Sequence, residues 1–141
     1  MTASHFRSLA RRAAATLLAL LLIAATSHWA FAQSTTVRLV IDYGDGAVKI
    51  FTDLPWSKGN TVLEVMNAAQ ARPHGITFKH TGSGATALLT QIDDVANEGG
   101  GTGKKNWQLW VNTTYADSGF GAYEVQTLDV IFWRFTTQQG K

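Results

Sequence analysis

Hydrophobic and polar residues alternate over residues 36–43, which predicts a strand with one buried face. Val37, Leu39 and Ile41 share one face and alternate with Arg38, Val40 and Asp42. The segment Gly44-Asp45-Gly46 follows, and a second β-rich run covers residues 48–52. Because an Asp-Gly step between two such runs is typical of a tight turn, we expect the two runs to pair as a β-hairpin.

From residue 61 the apolar spacing changes to the three- and four-residue intervals of a helix. The residues that share this helical face are Val62, Val65, Met66 and Ala69. Thr61 and Glu64 have the spacing of a capping box, with Asn60 as the alternative cap. Arg72 precedes a proline, and that position disfavours helical backbone. The pattern predicts one helix over residues 61–71.

Strand patterns return in the second half of the chain. Short β-rich runs cover residues 76–80 and 87–92, and a polar, glycine-rich stretch covers 97–105. Residues 107–112 are expected to form a strand with Trp107, Leu109 and Val111 on one face, and residues 130–135 a last strand. A hairpin, one helix and later strands predict an α+β, β-grasp-like fold, in which a single helix packs on a mixed, mostly antiparallel sheet of four or five strands.

The amino terminus has the three parts of a secretory signal: the basic residues Arg7, Arg11 and Arg12, an apolar run, and the motif Ala30-Phe31-Ala32. The apolar run is shorter than the roughly 20 residues of a spanning helix, so a membrane anchor is the weaker alternative. The alanines after the arginine pair favour the general secretory route over the twin-arginine route. We predict a cleavable signal peptide at 1–32, a domain at 33–141, and an exported protein, periplasmic or extracellular, without a membrane span after cleavage.

Removing the signal peptide changes the charge of the chain. Three of the 12 basic residues lie in it, which leaves 12 − 3 = 9 basic against 10 acidic residues in the domain. Nucleic-acid binding calls for a basic stripe, and the sequence has none. The chain has no cysteine, so disulfides and thiolate zinc sites are excluded.

Several segments together carry a family resemblance. The stretch 88–99 leads into Lys105-Asn106-Trp107-Gln108-Leu109-Trp110-Val111-Asn112, and the chain closes on Asp129-Val130-Ile131-Phe132-Trp133-Arg134-Phe135. With Val40-Ile41-Asp42-Tyr43-Gly44 and the helix start at Thr61, this resembles the bacterial exported domains related to the carboxy-terminal domain of transcobalamin and intrinsic factor. Two turns depart from that family, which usually has glycine where this chain has Thr113 and Leu128.

The resemblance implies a β-grasp fold and the binding of a soluble ligand. In transcobalamin this domain covers one face of a corrinoid that is held between two domains. Cobalamin is therefore the ligand that the resemblance implies for this chain, although the partner helical domain is absent from the sequence.

Aromatic residues are the main candidates for a binding site. We predict that a ligand contacts Trp110, Tyr115, Phe120 and Tyr123, which follow one another around one strand end and its connection. Such rings combine a large apolar area with a polar handle. The alternative is that they complete the core. The predicted partner is a small molecule, with an envelope protein or polysaccharide as the other interpretation.

The remaining polar residues do not predict catalysis. His74 and His80 match no metal-site spacing, and Asp93, Asp94 and Glu98 lack the order of a calcium loop, which favours a solvated loop. No nucleophile elbow or cysteine nucleophile is present. We predict a binding module that is not an enzyme, with no catalytic or metal-ligating residues and no resident cofactor.

Overall fold

A computed structural model describes residues 35–137 of the chain. The predicted signal peptide at 1–32 and the last residues, 138–141, lie outside the described residues, so the signal peptide stays a prediction. Within residues 35–137, no helix is both long enough and apolar enough to cross a membrane.

The alternating segment at the start of the domain forms the predicted hairpin. Strand β1 (Thr36–Asp42) pairs antiparallel with β2 (Val48–Pro55), and the three apolar positions of β1 are buried. In the turn, the carboxylates of Asp42 and Asp45 each accept a backbone N–H at 2.9 Å. These short-range bonds explain why Asp and Gly favour this turn.

The predicted helix is α1 (Val62–Gln70), and its apolar face is buried. The backbone N–H and hydroxyl of Thr61 both donate to the Glu64 carboxylate, as the capping-box spacing predicts. These hydrogen bonds stabilise the ionised carboxylate and hold the pKa of Glu64 below its usual value.

A second, smaller sheet follows the helix. It consists of β3 (Phe78–Thr81), β4 (Leu88–Ile92) and β5 (Val95–Ala96), paired antiparallel in that order. A single 3-10 turn, Gly84–Thr86, lies between β3 and β4. The short β-rich runs are therefore strands, as expected, but they form a sheet of their own.

The main sheet has five strands and is mixed, which confirms the predicted fold class. It contains the hairpin, β6 (Lys105–Val111), β7 (Thr114–Tyr115) and β8 (Val130–Thr137), in the order β2-β1-β8-β6-β7. The central pair, β1 and β8, is parallel, and the other neighbours are antiparallel. The helix packs on β1 and β2, and the second sheet approaches β6 through β4, so both cover the same face of the main sheet.

The two turns that depart from the family resemblance require unusual backbone geometry. Asn112, which precedes Thr113, has φ +57°, and Leu128 has φ +68°. Asparagine adopts this left-handed region readily, whereas leucine has a steric cost there. Leu128 is also 73 % exposed, so burial of its side chain does not offset that cost.

Candidate functional site

A cleft of about 430 Å³ lies on the covered side of the main sheet, next to β6. Its walls come from the 3-10 turn with the start of β4, from β6 and β8, and from the connection that follows β7. Its lining residues include Leu88, Trp107, Tyr115, Asp117, Phe120 and Trp133. The lining is mainly apolar and aromatic, which is typical of small-molecule sites.

One wall of the cleft depends on a close backbone approach at Gly119. A Cβ atom at this position would lie 2.2 Å from the carbonyl oxygen of Ala85. The backbone N–H of Leu63 in α1 donates to the Phe120 carbonyl at 3.1 Å, which attaches the same segment to the helix. The residue type at 119 therefore decides how closely the connection approaches the 3-10 turn.

Phe120 and Trp133 pack against each other inside the cleft wall. Their ring centroids are 5.7 Å apart at an interplanar angle of 82°, the edge-to-face arrangement that aromatic pairs prefer. His80 of β3 also contacts Phe120, with ring centroids 5.6 Å apart. Phe120 exposes only 2 % of its surface and Trp133 only 4 %. His80 thus has a packing role that its sequence spacing does not reveal.

The structure does not bring the four predicted site residues together. Tyr115 and Phe120 line the cleft. Trp110 contacts Tyr115, with centroids 5.5 Å apart, but alternation along β6 puts Trp110 on the opposite face from Trp107. Tyr123 lies at the start of α1, where its carbonyl accepts the Val62 N–H. Trp107 and Trp133 also line the cleft, although strand alternation marks them only as core positions.

The opposite face of the main sheet carries a row of apolar side chains that crosses all five strands. Strand register places them side by side, in the order Ile50, Val40, Phe132, Trp110 and Tyr115. Beside this row, the Arg134 guanidinium lies 4.9 Å from the centre of the Phe132 ring and donates to Asp42 at 2.9 Å. Ile50 and Tyr115, at the two ends of the row, are exposed.

Asp93 lies in a hydrogen-bonded cluster, which differs from the solvated loop expected from sequence. Its carboxylate accepts hydrogen bonds from the Tyr43 hydroxyl, the Lys49 ammonium at 2.8 Å and the Thr77 backbone N–H at 2.8 Å. The cluster joins the hairpin to the second sheet. Asp94, its neighbour in sequence, is exposed.

The cluster shifts the ionisation of its members. Burial alone would raise the pKa of Asp93, but the hydrogen bonds from Lys49, Tyr43 and Thr77 outweigh it and hold that pKa below its usual value. Burial, together with the adjacent Asp93 carboxylate, raises the pKa of Tyr43. Both groups are therefore held in the states that they have at neutral pH.

A second depression of about 450 Å³ lies beside β2 and the segment after α1. It is more open than the cleft and contains Lys49, Arg72 and His74. The Lys49 ammonium is paired with the Asp93 carboxylate. A guanidinium nitrogen of Arg72 lies 3.4 Å from a carboxylate oxygen of Asp53. Since these two cations already have acidic partners, the cleft beside β6 is the better candidate site. Within residues 35–137, no three His, Asp or Glu side chains are grouped so that they could hold a metal ion.

Solved structures share this fold, among them two with the following similarity to this chain. One is a protein from Ruminococcus gnavus ATCC 29149 described as a proposed metal binding protein, at a TM-score of 0.54 and 12% identity, with 74% of this chain and 97% of that chain covered. The other is haptocorrin in complex with Cbi, at a TM-score of 0.57 and 18% identity, with 72% of this chain covered. The match spans only 25% of haptocorrin. At these low sequence identities, the similarity shows a shared fold and nothing more.

Comparison with sequence-family models gives a match. Residues 59–137, more than half of the chain, match the family described as a domain of unknown function (DUF4430). No curated protein matches the sequence.

Proposed function

This chain belongs to the DUF4430 family, and we propose that it is an exported, non-catalytic module that binds a small molecule in the cleft beside β6. The observation that carries the proposal is the cleft itself, with aromatic walls formed by Trp107, Phe120 and Trp133. Apolar, concave sites with few polar groups are where proteins bury small ligands. The fold that the chain shares with haptocorrin, a protein seen in complex with Cbi, supports the same interpretation.

The size of the cleft limits how a corrinoid would bind. A volume of about 430 Å³ is in the lower part of the roughly 300–1,000 Å³ range of small-molecule sites. A corrinoid is large for such a space, so we propose that the cleft holds one edge or side group of it and leaves the rest outside. A smaller organic ligand would fit the cleft more completely.

Titration with cyanocobalamin tests the corrinoid version of this proposal. We expect saturable quenching of tryptophan fluorescence, beyond the inner-filter effect, because Trp107 and Trp133 line the cleft. The Leu88→Lys variant places a charge at the cleft and should weaken binding roughly three- to tenfold. Leu128→Lys is the matched control, since Leu128 is exposed and does not line the cleft.

Two results of this titration would count against the corrinoid version. A linear signal without saturation would remove cyanocobalamin as a ligand. Equal weakening by both lysine variants would mean that the binding site lies elsewhere.

The apolar row on the opposite sheet face favours a second candidate function. We propose as the alternative that this face binds an envelope protein or polysaccharide, because Ile50, Val40, Phe132, Trp110 and Tyr115 form one continuous row. Strands are about 4.8 Å apart, so the row is roughly 19 Å long. Exposed apolar surface of this kind often marks interaction sites.

Co-sedimentation with insoluble cell-wall polysaccharide tests the alternative. We expect Trp110→Ala to lower the retained fraction, with an apparent affinity reduced roughly three- to tenfold, because it removes the ring between Phe132 and Tyr115 in the apolar row. Leu128→Lys should behave like the unmodified chain. Retention that is unaffected by Trp110→Ala, or no retention of the unmodified chain, would contradict a polysaccharide role for this face.

A further inference from the structure

The indole N–H of Trp133 is the buried side-chain polar group that has no hydrogen-bond partner among the described residues 35–137. The indole N–H groups of two other tryptophans in this domain have hydrogen-bond acceptors. Trp56 Nε1 donates to the Val125 carbonyl at 2.7 Å, and Trp107 Nε1 donates to the Val95 carbonyl at 2.9 Å. Buried indole N–H groups are normally paired in this way, so the unpaired one at Trp133 calls for an explanation.

The position of Trp133 connects this unpaired donor to the cleft. Trp133 lies on β8 opposite Leu109 of β6, and both residues line the cleft. The Nε1 atom of Trp133 is shielded from solvent. An acceptor therefore reaches the nitrogen only if a neighbouring side chain in the wall rotates. Phe120, which lines the cleft and packs on the Trp133 ring, is a candidate for that movement.

The charges around the cleft restrict the acceptor further. Asp117 is the one charged side chain among the lining residues. A carboxylate at the cleft repels anionic ligands, and no lysine or arginine of the lining offsets it. An indole N–H can only donate, so the ligand group that meets it must be an acceptor.

We propose that the cleft takes an uncharged organic ligand whose carbonyl oxygen, as in a carboxamide, ester or ketone, accepts the Trp133 N–H. This inference rests on the proposed small-molecule function of the same cleft. The free energy lost by burying an unpaired donor is recovered when the ligand supplies the acceptor. Trp133 thereby selects ligands with a carbonyl over equally apolar ligands without one.

Three small probes of similar shape separate the parts of this proposal: benzamide, benzoate and toluene. Their binding to the ¹⁵N-labelled chain is followed through the indole N–H and backbone signals, with the Trp133 signal assigned by its loss in Trp133→Phe. We expect benzamide to shift the Trp133 indole signal downfield with saturation. Toluene should shift cleft backbone signals without the downfield change, and benzoate should bind more weakly than benzamide.

The variant measures what the N–H contributes to affinity. Trp133→Phe keeps an apolar ring but removes the donor, so benzamide should bind roughly three- to tenfold more weakly while toluene changes little. Trp56→Phe is the control, because it also removes an indole N–H but lies outside the cleft lining. If Trp133→Phe does not fold, the Trp133 signal is assigned in the unmodified chain from its through-space contacts with assigned neighbours, and its shift still decides the question.

The possible failures are distinguishable. If benzamide shifts the cleft backbone signals but leaves the Trp133 indole signal unchanged, the inference is overturned and the small-molecule function survives. A long-lived water bound to the Trp133 N–H, detected by magnetisation transfer and still present with benzamide bound, would also overturn it. If none of the probes shifts any cleft signal, both the inference and the small-molecule function of the cleft are contradicted.

Discussion

Replacing Gly119 with alanine is expected to destabilise the chain by about 3 kcal/mol, the upper part of the range for overpacked positions. The new Cβ would lie 2.2 Å from the Ala85 carbonyl oxygen and 3.1 Å from that of Ala87. Both neighbours are backbone atoms, so no flexible side chain can move aside. The connection must shift away from the 3-10 turn, which also displaces Phe120 in the cleft wall.

Gly100→Ala is the matched control for this substitution. A Cβ atom at Gly100 would meet no heavy atom within 4 Å, so the change should alter the free energy of unfolding by no more than about 0.5 kcal/mol. Urea unfolding of both variants measures the difference, and the benzamide-induced shift of the Trp133 signal reports on the cleft. Equal urea midpoints for the two variants would show that the close approach at Gly119 is not rigid.

Replacing Asp93 with alanine is expected to cost about 2–3 kcal/mol, because it removes the acceptor shared by Tyr43, Lys49 and Thr77. The Lys49 pair contributes little of this, since the Lys49 side chain is 41% exposed and water screens the interaction. Asp93 also has φ +49°, where alanine is less favourable than aspartate or asparagine. Asp93→Asn keeps the backbone geometry, so it should cost less, about 1 kcal/mol.

The direction in which stability changes with pH tests the contributions of Asp93 and Tyr43 in this cluster. The pKa of Asp93 is lower in the folded chain, so its stabilising contribution is present above the unfolded value of about 3.9 and is lost as pH falls through the folded value. The pKa of Tyr43 is raised, so its contribution is present below about 10 and is lost as pH rises toward the folded value. We expect Asp93→Asn to lose less stability than the unmodified chain between about pH 5 and 3. The same acid dependence in both would contradict the role assigned to Asp93.

Local sequence patterns do not show where the four predicted site residues lie relative to one another. Alternation along a strand tells which side chains share a face, so it separates Trp110 from Trp107 but does not show which face is covered. Phe120 lies in an irregular connection, where no period predicts its direction. Its position follows from the contact of Gly119 with Ala85, a neighbour distant in sequence.

The surroundings of Asp93 likewise could not be predicted from the neighbouring sequence. From sequence it belongs to an acidic segment before a glycine-rich stretch, and such segments are usually solvated. Its partners Tyr43 and Lys49 lie 50 and 44 residues away along the chain. Only the approach of the second sheet to the hairpin brings them together.

The sequence by itself determined the hairpin around Asp45, the helix that begins after Thr61, and the alternation of β6, because each depends on bonds or periods within a few neighbouring residues. The tertiary structure alone decided the parallel pairing of β1 with β8, the separate second sheet and the cleft with the unpaired Trp133 N–H. These features depend on contacts between segments far apart in the chain, and local spacing carries no information about which distant segments meet.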